Sequence, residues 1–186
     1  KLKKTIFFLL IVGTLHNTYS QNFSKRKVNN LKSHAAKLVE EDKKMTQVMI
    51  DKVFSFGELG FQEFETSKYL SNILEENGFE LQYNISDIPT SWLATWSNGR
   101  GGPVIALGSD FDGVPSTSQY PGVAYEKPVV EGAPGHGEGH NIGLPIVVTS
   151  ALALKKIMIE NNINGTLLIW PGVAEEILGS KAWYVR

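Results

Sequence analysis

Apolar residues recur at helical intervals in the first third of the chain. From Leu31 to Phe56 they stand three or four positions apart, which predicts an amphipathic helix. The same period runs from Phe64 to Glu76 and ends at Asn77-Gly78, so a second helix is predicted there. The glycine-containing turn 57–61 joins these two helices.

Two kinds of strand pattern follow. Phe79 to Tyr83 and Ser91 to Trp96 read as short strands with a turn at Pro89 between them, which predicts a hairpin or an edge pair. Pro103 to Gly108 and Thr166 to Trp170 are continuous apolar runs, as expected of strands that are buried on both faces.

A helix is predicted between the two apolar strands. It runs from about Leu144 to Asn161, with Pro145 in its first turn. Strand, helix and strand then form a β-loop-α-β unit with parallel strands, whose C-terminal ends meet at one edge of the sheet, where ligands bind. The predicted fold class is α/β.

Polar motifs occupy all three positions that this unit brings to that edge. Asp110 and Asp112 follow the first strand, and Glu175 and Glu176 follow the second. The glycine-rich segment 131–140 leads into the helix between them. Taken alone, the aspartates could form a turn with side-chain hydrogen bonds, and the two glutamates could be a solvated surface pair.

Segment 131–140 has the residue types of a metal site. It sets His136, Glu138 and His140 among glycines, and imidazole nitrogen and carboxylate oxygen are both usual zinc donors. The alternative is a flexible glycine loop whose histidines are incidental. Two histidines and five carboxylates at one edge nevertheless favour a site for two divalent ions, beside which a carboxylate takes a proton from water.

Composition agrees with a single globular domain. The 186 residues are 42% hydrophobic and 20% charged, which is enough to bury a core. The net charge of −1 provides no electrostatic case for binding nucleic acid or an anionic membrane surface. Because the chain has no cysteine, neither disulfides nor thiolate ligands can contribute.

Residues 1–20 have the pattern of a signal peptide. A basic head, an apolar run from Thr5 to Leu15 and a small-residue exit precede Gln21, and the run is too short to span a bilayer. A buried N-terminal helix is the alternative, but the basic head and the polar residues after the run disfavour it. We therefore expect export to the periplasm or the extracellular space of a bacterium, without membrane contact once the signal is removed.

Four motifs carry a family resemblance. They are, in order along the chain, Gly57–Glu63, Asp110–Pro115, Gly135–Asn141 and Pro171–Glu176. Together they resemble the dinuclear-metal metallopeptidase and amidohydrolase family of the aminoacylase and carboxypeptidase G type, closest to the amidohydrolases like aminobenzoyl-glutamate utilisation protein B. The resemblance covers about residues 35–186. It implies a zinc-peptidase-like three-layer α/β fold with a mixed, largely parallel sheet, and hydrolysis of an amide that joins an acyl or aroyl group to an amino acid.

The resemblance also implies roles for individual residues. Glu175 matches the general base and Asp112 the aspartate that orients the site, so these two are the catalytic candidates. Glu176 and His140 match metal ligands. Glu138 stands where this branch has a metal-binding cysteine, which makes it the third ligand candidate.

Replacing a ligand sulfur by oxygen weakens the preference for zinc and admits harder ions such as manganese. The resemblance therefore implies two divalent ions, zinc or manganese. Asp110 matches a metal-binding histidine of other branches, and we expect it and His136 to play supporting roles. The implied substrate is a small-molecule amide or a peptide, and the implied assembly is a homodimer.

Family members continue beyond the paired glutamates to two more histidine ligands and a lid or dimerisation domain, whereas this sequence ends at Arg186. We therefore expect residues 31–186 to be the N-terminal portion of a catalytic domain that is inactive alone. A non-catalytic exported protein that binds a metal or ligand, and one half of a split enzyme, are the alternatives. The DNA immediately downstream would discriminate between them.

Overall fold

The computed structural model describes residues 23–185, so the predicted signal peptide lies outside the described residues. The helices and strands, in chain order, are α1 Lys25–Glu41, α2 Lys43–Phe56, α3 Phe64–Glu76, β1 Glu80–Tyr83, β2 Trp92–Asn98, β3 Val104–Asp110, α4 His140–Glu160 and β4 Gly165–Gly172. Short 3-10 turns lie at Ile85–Asp87 and Glu175–Ile177.

The prediction of one helix over residues 31–56 is wrong, because the chain turns at Asp42 between α1 and α2. The backbone N–H of Asp42 caps the end of α1 by bonding to the carbonyl oxygens of Leu38 and Glu40. Leu38 packs in a small apolar cluster against the end of α4, whereas Met49 and Val53 of α2 enter the main core. The two helices therefore bury apolar residues in different clusters, and the chain turns between them although the helical period continues. The predicted helix 64–76 is confirmed as α3.

The four strands form one mixed sheet in the order β1-β2-β4-β3, which confirms the α/β fold class. Strands β1 and β2 form the predicted antiparallel pair, and β2 also pairs antiparallel with β4. Strands β3 and β4 are parallel, with Asp110 opposite Gly172. The carboxyl ends of β3 and β4 therefore lie side by side, as the β-loop-α-β unit requires.

The prediction that the two apolar strands are buried on both faces is wrong. In the described part of the chain β3 is an edge strand that pairs only with β4, and Val104 and Ile105 are 63% and 45% exposed. In β4, burial alternates along the strand: Leu167 and Ile169 join the core, while Leu168 between them is half-buried. The helices contact β4 over one face, so a continuous apolar run here does not mean burial on both sides.

Helix α4 is the central helix of the core and contacts α1, α2 and all of the long strands. It begins at His140, so Pro145 lies in its second turn and not, as predicted, in its first. Its length and mean hydropathy of 1.8 are those of a helix that could span a membrane, and 44% of that window is buried within the fold. Its N-terminus lies beside the ends of β3 and β4, where it positions His140.

Candidate metal centre

The three polar motifs meet at the edge of the sheet where β3 and β4 end. Phe111 and Val173 are fully buried directly after these strands, which anchors the backbone next to Asp112 and the paired glutamates. Gly139, with φ of 109°, makes the turn into α4 and sets His140 at the first helical position. Left-handed backbone of this kind favours glycine. Short, anchored connections therefore bring residues from distant parts of the sequence into contact.

His140 lies at the middle of the cluster, and only 12% of its side chain is exposed. Its Nδ1 is 3.2 Å from the carbonyl oxygen of Asp112, which can only accept a hydrogen bond. Nδ1 therefore carries the hydrogen, and in the neutral ring Nε2 keeps its lone pair. Nε2 is 2.9 Å from Oε2 of Glu138 and 3.9 Å from Oε2 of Glu175. A proton on Nε2, or a cation shared by these atoms, satisfies that arrangement.

Asp112 connects the two strand ends. Its side chain is fully buried, and Oδ2 accepts the backbone N–H of Glu176 at 3.0 Å. Oδ1 of Asp112 and Oε1 of Glu176 lie 3.3 Å and 3.7 Å from Nδ1 of His140. Burial raises the pKa of Glu176, and the neighbouring carboxylates raise it further. The electrostatic interaction with His140 lowers the pKa but does not cancel these effects. Crowded carboxylates of this kind need a positive partner.

The residues present fit a divalent cation. Two groups of side chains place their donor atoms within 4.8 Å of one another: Asp110, His140 and Glu175, and Glu138, His140 and Glu176. Oδ1 of Asp112 and Oε1 of Glu176 are buried without a hydrogen-bond donor among the described residues. Unpartnered buried carboxylate oxygens are unfavourable unless a cation is close. The second group consists of the three predicted ligands, whose roles as ligands remain predictions.

Lys181 is a charged residue of the site that the sequence did not reveal. Its Nζ lies 3.0 Å from Oδ1 of Asp110 and 3.7 Å from Oε1 of Glu175. Although burial alone would lower the pKa of Lys181, hydrogen bonding and attraction to these two carboxylates raise it. Lys181 stands after the matched motifs in a segment without a periodic pattern, so no sequence signal could have placed it here.

His136 lies outside both groups and holds the glycine-rich loop against α2. Its Nε2–H donates to the carbonyl oxygen of Val53 at 3.1 Å, and its Nδ1 is buried without a hydrogen-bond partner in the described part of the chain. Burial lowers the pKa of His136, so the neutral ring is favoured. This geometry suits the predicted supporting role.

Two curated proteins resemble the chain in sequence, whereas no family model matches it. The chain is 32% identical to one subunit of the p-aminobenzoyl-glutamate hydrolase of Escherichia coli (strain K12) over 148 residues, which cover 80% of this chain and 30% of that protein. It is 32% identical to N-acetylcysteine deacetylase of Bacillus subtilis (strain 168) over 120 residues, or 64% of this chain and 30% of that protein. The chain therefore spans about a third of the length of these relatives.

Solved structures share the fold, among them these three. An aminohydrolase from methicillin-resistant Staphylococcus aureus matches with a TM-score of 0.63 and 18% sequence identity, over 76% of this chain and 34% of that one. A dinuclear metal binding peptidase of the M20 family from Bacillus subtilis matches with a TM-score of 0.57 and 23% identity, over 83% of this chain and 39% of that one. An aminobenzoyl-glutamate utilization protein from Klebsiella pneumoniae matches with a TM-score of 0.51 and 15% identity, over 75% of this chain and 38% of that one.

Proposed function

Because the chain belongs to the dinuclear-metal metallopeptidase and amidohydrolase family, we propose that a protein containing it hydrolyses an amide bond between an acyl or aroyl group and an amino acid. One observation carries the proposal: His140 contacts carboxylates from every polar motif at the sheet edge. Such a cluster can hold divalent metal and a base side by side.

Glu175 is the proposed general base. Its carboxylate is 31% exposed, so water can reach it, and Oε2 is 3.9 Å from Nε2 of His140. The carboxylate would take the proton of the attacking water and later deliver it to the departing amine nitrogen. Nζ of Lys181 lies 3.7 Å from Oε1 of the same carboxylate.

Asp112 is proposed to orient the site. Its carbonyl oxygen fixes the Nδ1–H tautomer of His140, and its carboxylate fixes the backbone of Glu176. Both contacts limit the rotation of a proposed ligand, as partners of metal-bound histidines commonly do.

Glu138, His140 and Glu176 would hold divalent metal, and we propose two ions, zinc or manganese, in the active protein. When bound, such ions polarise a carbonyl group and lower the pKa of water. An oxygen donor at Glu138 makes manganese acceptable beside zinc. Asp110 and His136 would support these residues from the sheet edge and from the end of α2.

The substrate class is proposed from the names of the relatives. One belongs to a hydrolase of p-aminobenzoyl-glutamate and the other is a deacetylase of N-acetylcysteine, and both substrates are amides between an acyl group and an amino acid. Export through residues 1–20 and assembly as a homodimer complete the proposal. Amino-terminal sequencing of the secreted protein and its mass in solution would test these two points.

The activity is tested with a protein that contains this chain, stripped of metal by a chelator. Release of p-aminobenzoate from p-aminobenzoyl-glutamate, and of acetate from N-acetyl amino acids, should require added Mn²⁺ or Zn²⁺ and should be lost in His140→Ala. Hydrolysis that persists without metal would contradict the proposal. Tight metal binding without hydrolysis of any acyl amino acid would instead favour the non-catalytic metal-binding protein.

A further inference from the structure

The turn formed by residues 57–63 contributes no candidate ligand, yet it contacts all three loops that meet at the candidate metal centre. The carbonyl oxygen of Glu58 accepts the N–H of Gly113, the residue after Asp112, at 2.6 Å. Gly57 packs against the Pro134–Gly135 backbone of the glycine-rich loop. Gly60 lies against Ala174, where an added Cβ would come within 3.0 Å of the Cα and Cβ atoms.

Glu63 ends this turn and is a buried acid without a basic partner in any contact the structure shows for its carboxylate. It is fully buried; Oε1 accepts the backbone N–H of Ala174 at 2.8 Å, and Oε2 accepts the hydroxyl hydrogen of Thr90 at 2.9 Å. Burial raises the pKa of Glu63, although these hydrogen bonds oppose the shift. Burying a carboxyl group away from water costs free energy, so its presence here indicates a specific role.

Ala174 has an unusual backbone conformation for a residue with a side chain. Its φ is 52°, in the left-handed region that favours glycine, and the residue is fully buried. Without Glu63, its N–H would be a buried donor that loses its acceptor. The chain turns at Val173 and Ala174 as it leaves β4, and the next two residues are Glu175 and Glu176.

We propose that Glu63 is a positioning residue of the candidate metal centre, which holds Ala174 in this left-handed turn and so directs Glu175 and Glu176 toward His140. The inference rests on the proposed function, because it assigns Glu63 to the placement of the proposed base and of a proposed ligand. Thr90 fixes the second carboxylate oxygen, so the acceptor for Ala174 cannot rotate away.

Glu58 provides a matched control in the same turn. Its carboxylate accepts the N–H groups of Glu65 and Thr66 and the hydroxyl of Thr66, and therefore caps the start of α3. No ligand loop is bonded to that carboxylate in the described contacts. Removal of either side chain should lower stability, but only removal of Glu63 should disturb the metal centre.

The experiment compares Glu63→Ala, Glu63→Gln and Glu58→Ala in the full chain, by amide hydrogen exchange at Ala174 without metal and by Mn²⁺ titration followed by electron paramagnetic resonance. Glu63→Ala should speed exchange at Ala174 and weaken Mn²⁺ binding by about 10-fold or more, the usual effect of losing a residue that orients a ligand. Glu63→Gln should restore both, because its amide oxygen can accept the Ala174 N–H. Glu58→Ala should lower the melting temperature and leave both measurements unchanged.

Folded Glu63→Ala with unchanged exchange and Mn²⁺ affinity would overturn the proposal, as would an equal loss in Glu58→Ala. If Glu63→Ala does not fold, Glu63→Asp replaces it, since the shorter side chain keeps the charge but withdraws the acceptor from Ala174. His140→Ala separates the two proposals: Mn²⁺ binding unaffected by that change refutes the metal centre, whereas loss there but not in Glu63→Ala refutes only the positioning role.

Discussion

The two ring nitrogens of His140 have different roles. Nδ1 is engaged by the backbone oxygen of Asp112, and Nε2 faces the carboxylates of Glu138 and Glu175. A histidine fixed in this way offers one defined lone pair, which is what a metal ligand needs. The adjacent pair Glu175 and Glu176 is divided similarly, because only Glu176 is held through its backbone by Asp112.

Glu175→Gln should abolish amide hydrolysis in an active protein that contains this chain and leave its metal content unchanged. The amide has the shape of the carboxylate but cannot accept the proton of water, and loss of a general base lowers the rate by about 100-fold or more. Steady-state assays with metal analysis of the same sample would check this. Full turnover by the variant would show that another group is the base.

Glu138→Cys should keep metal binding and shift the preference from manganese toward zinc, because thiolate is the softer donor. Competition between Zn²⁺ and Mn²⁺, read by atomic absorption after dialysis, measures the shift. His140→Ala is the control and should lose both metals. If neither variant changes metal content, the loop 131–140 is a structural turn only.

At the scale of single residues, the sequence predicted those site residues that lie in recognisable motifs. The predicted residues Asp112, Glu138 and His140 do lie together, because glycines and strand ends mark their positions. Lys181 could not be predicted as a site residue, and Glu63, although it ends the first of the four motifs, received no role from the sequence. An acidic residue before a helix is normally interpreted as an exposed charge at the helix N-terminus, and only the structure shows that Glu63 is buried and bonded to the N–H of Ala174.

At the scale of elements, the centre depends on loops that touch through their backbones. Gly113 lies between the 57–63 turn and the glycine-rich loop, bonded by its N–H to the oxygen of Glu58. A Cβ built there would lie 2.8 Å from the carbonyl oxygen of Gly135. The close approach of three chain segments therefore requires glycine at this position.

Gly113→Ala should lower the free energy of unfolding by about 1–3 kcal/mol, as overpacking does. It should also weaken Mn²⁺ binding, because it separates the Asp112 loop from the glycine-rich loop that carries Glu138 and leads to His140. Chemical denaturation and Mn²⁺ titration measure the two effects. Gly122→Ala is the control: its φ of 78° strains an alanine, but an added Cβ there meets no atom within 4 Å. That variant should lose stability without losing metal affinity.

The elements themselves were largely predictable. The helix 64–76, the hairpin and the parallel β-loop-α-β unit all follow from local period and turn residues. The break at Asp42 did not, because α1 and α2 share one helical period and differ only in the part of the core that each meets. Local hydrophobic periodicity predicts that a segment is helical, whereas the part of the core that it packs against determines where the helix ends and the chain turns.

At the scale of the whole molecule, one face of the sheet packs against the helices, and the sheet has an edge strand at each end. In the described part of the chain, β1 and β3 are the two edges, and the helices contact the face that carries Leu167 and Ile169. The apolar runs did not predict this, since apolar composition reports what a strand can bury and not what is present to cover it. Exposed apolar side chains on β3 are the result.

An exposed edge strand is a template for pairing with another chain. Val104 is 63% exposed on β3, and its strand has no partner on its outer side among the described residues. Residues 23–186 should therefore self-associate in a concentration-dependent manner, and Val104→Lys should suppress this, because an edge lysine opposes strand pairing. Sedimentation velocity over a range of concentrations measures the effect.

The control is Val48→Lys, the same change at a 53% exposed position on α2. If both variants reduce association equally, general surface hydrophobicity drives it; if the unaltered chain stays monomeric at every concentration, the β3 edge is not available for pairing.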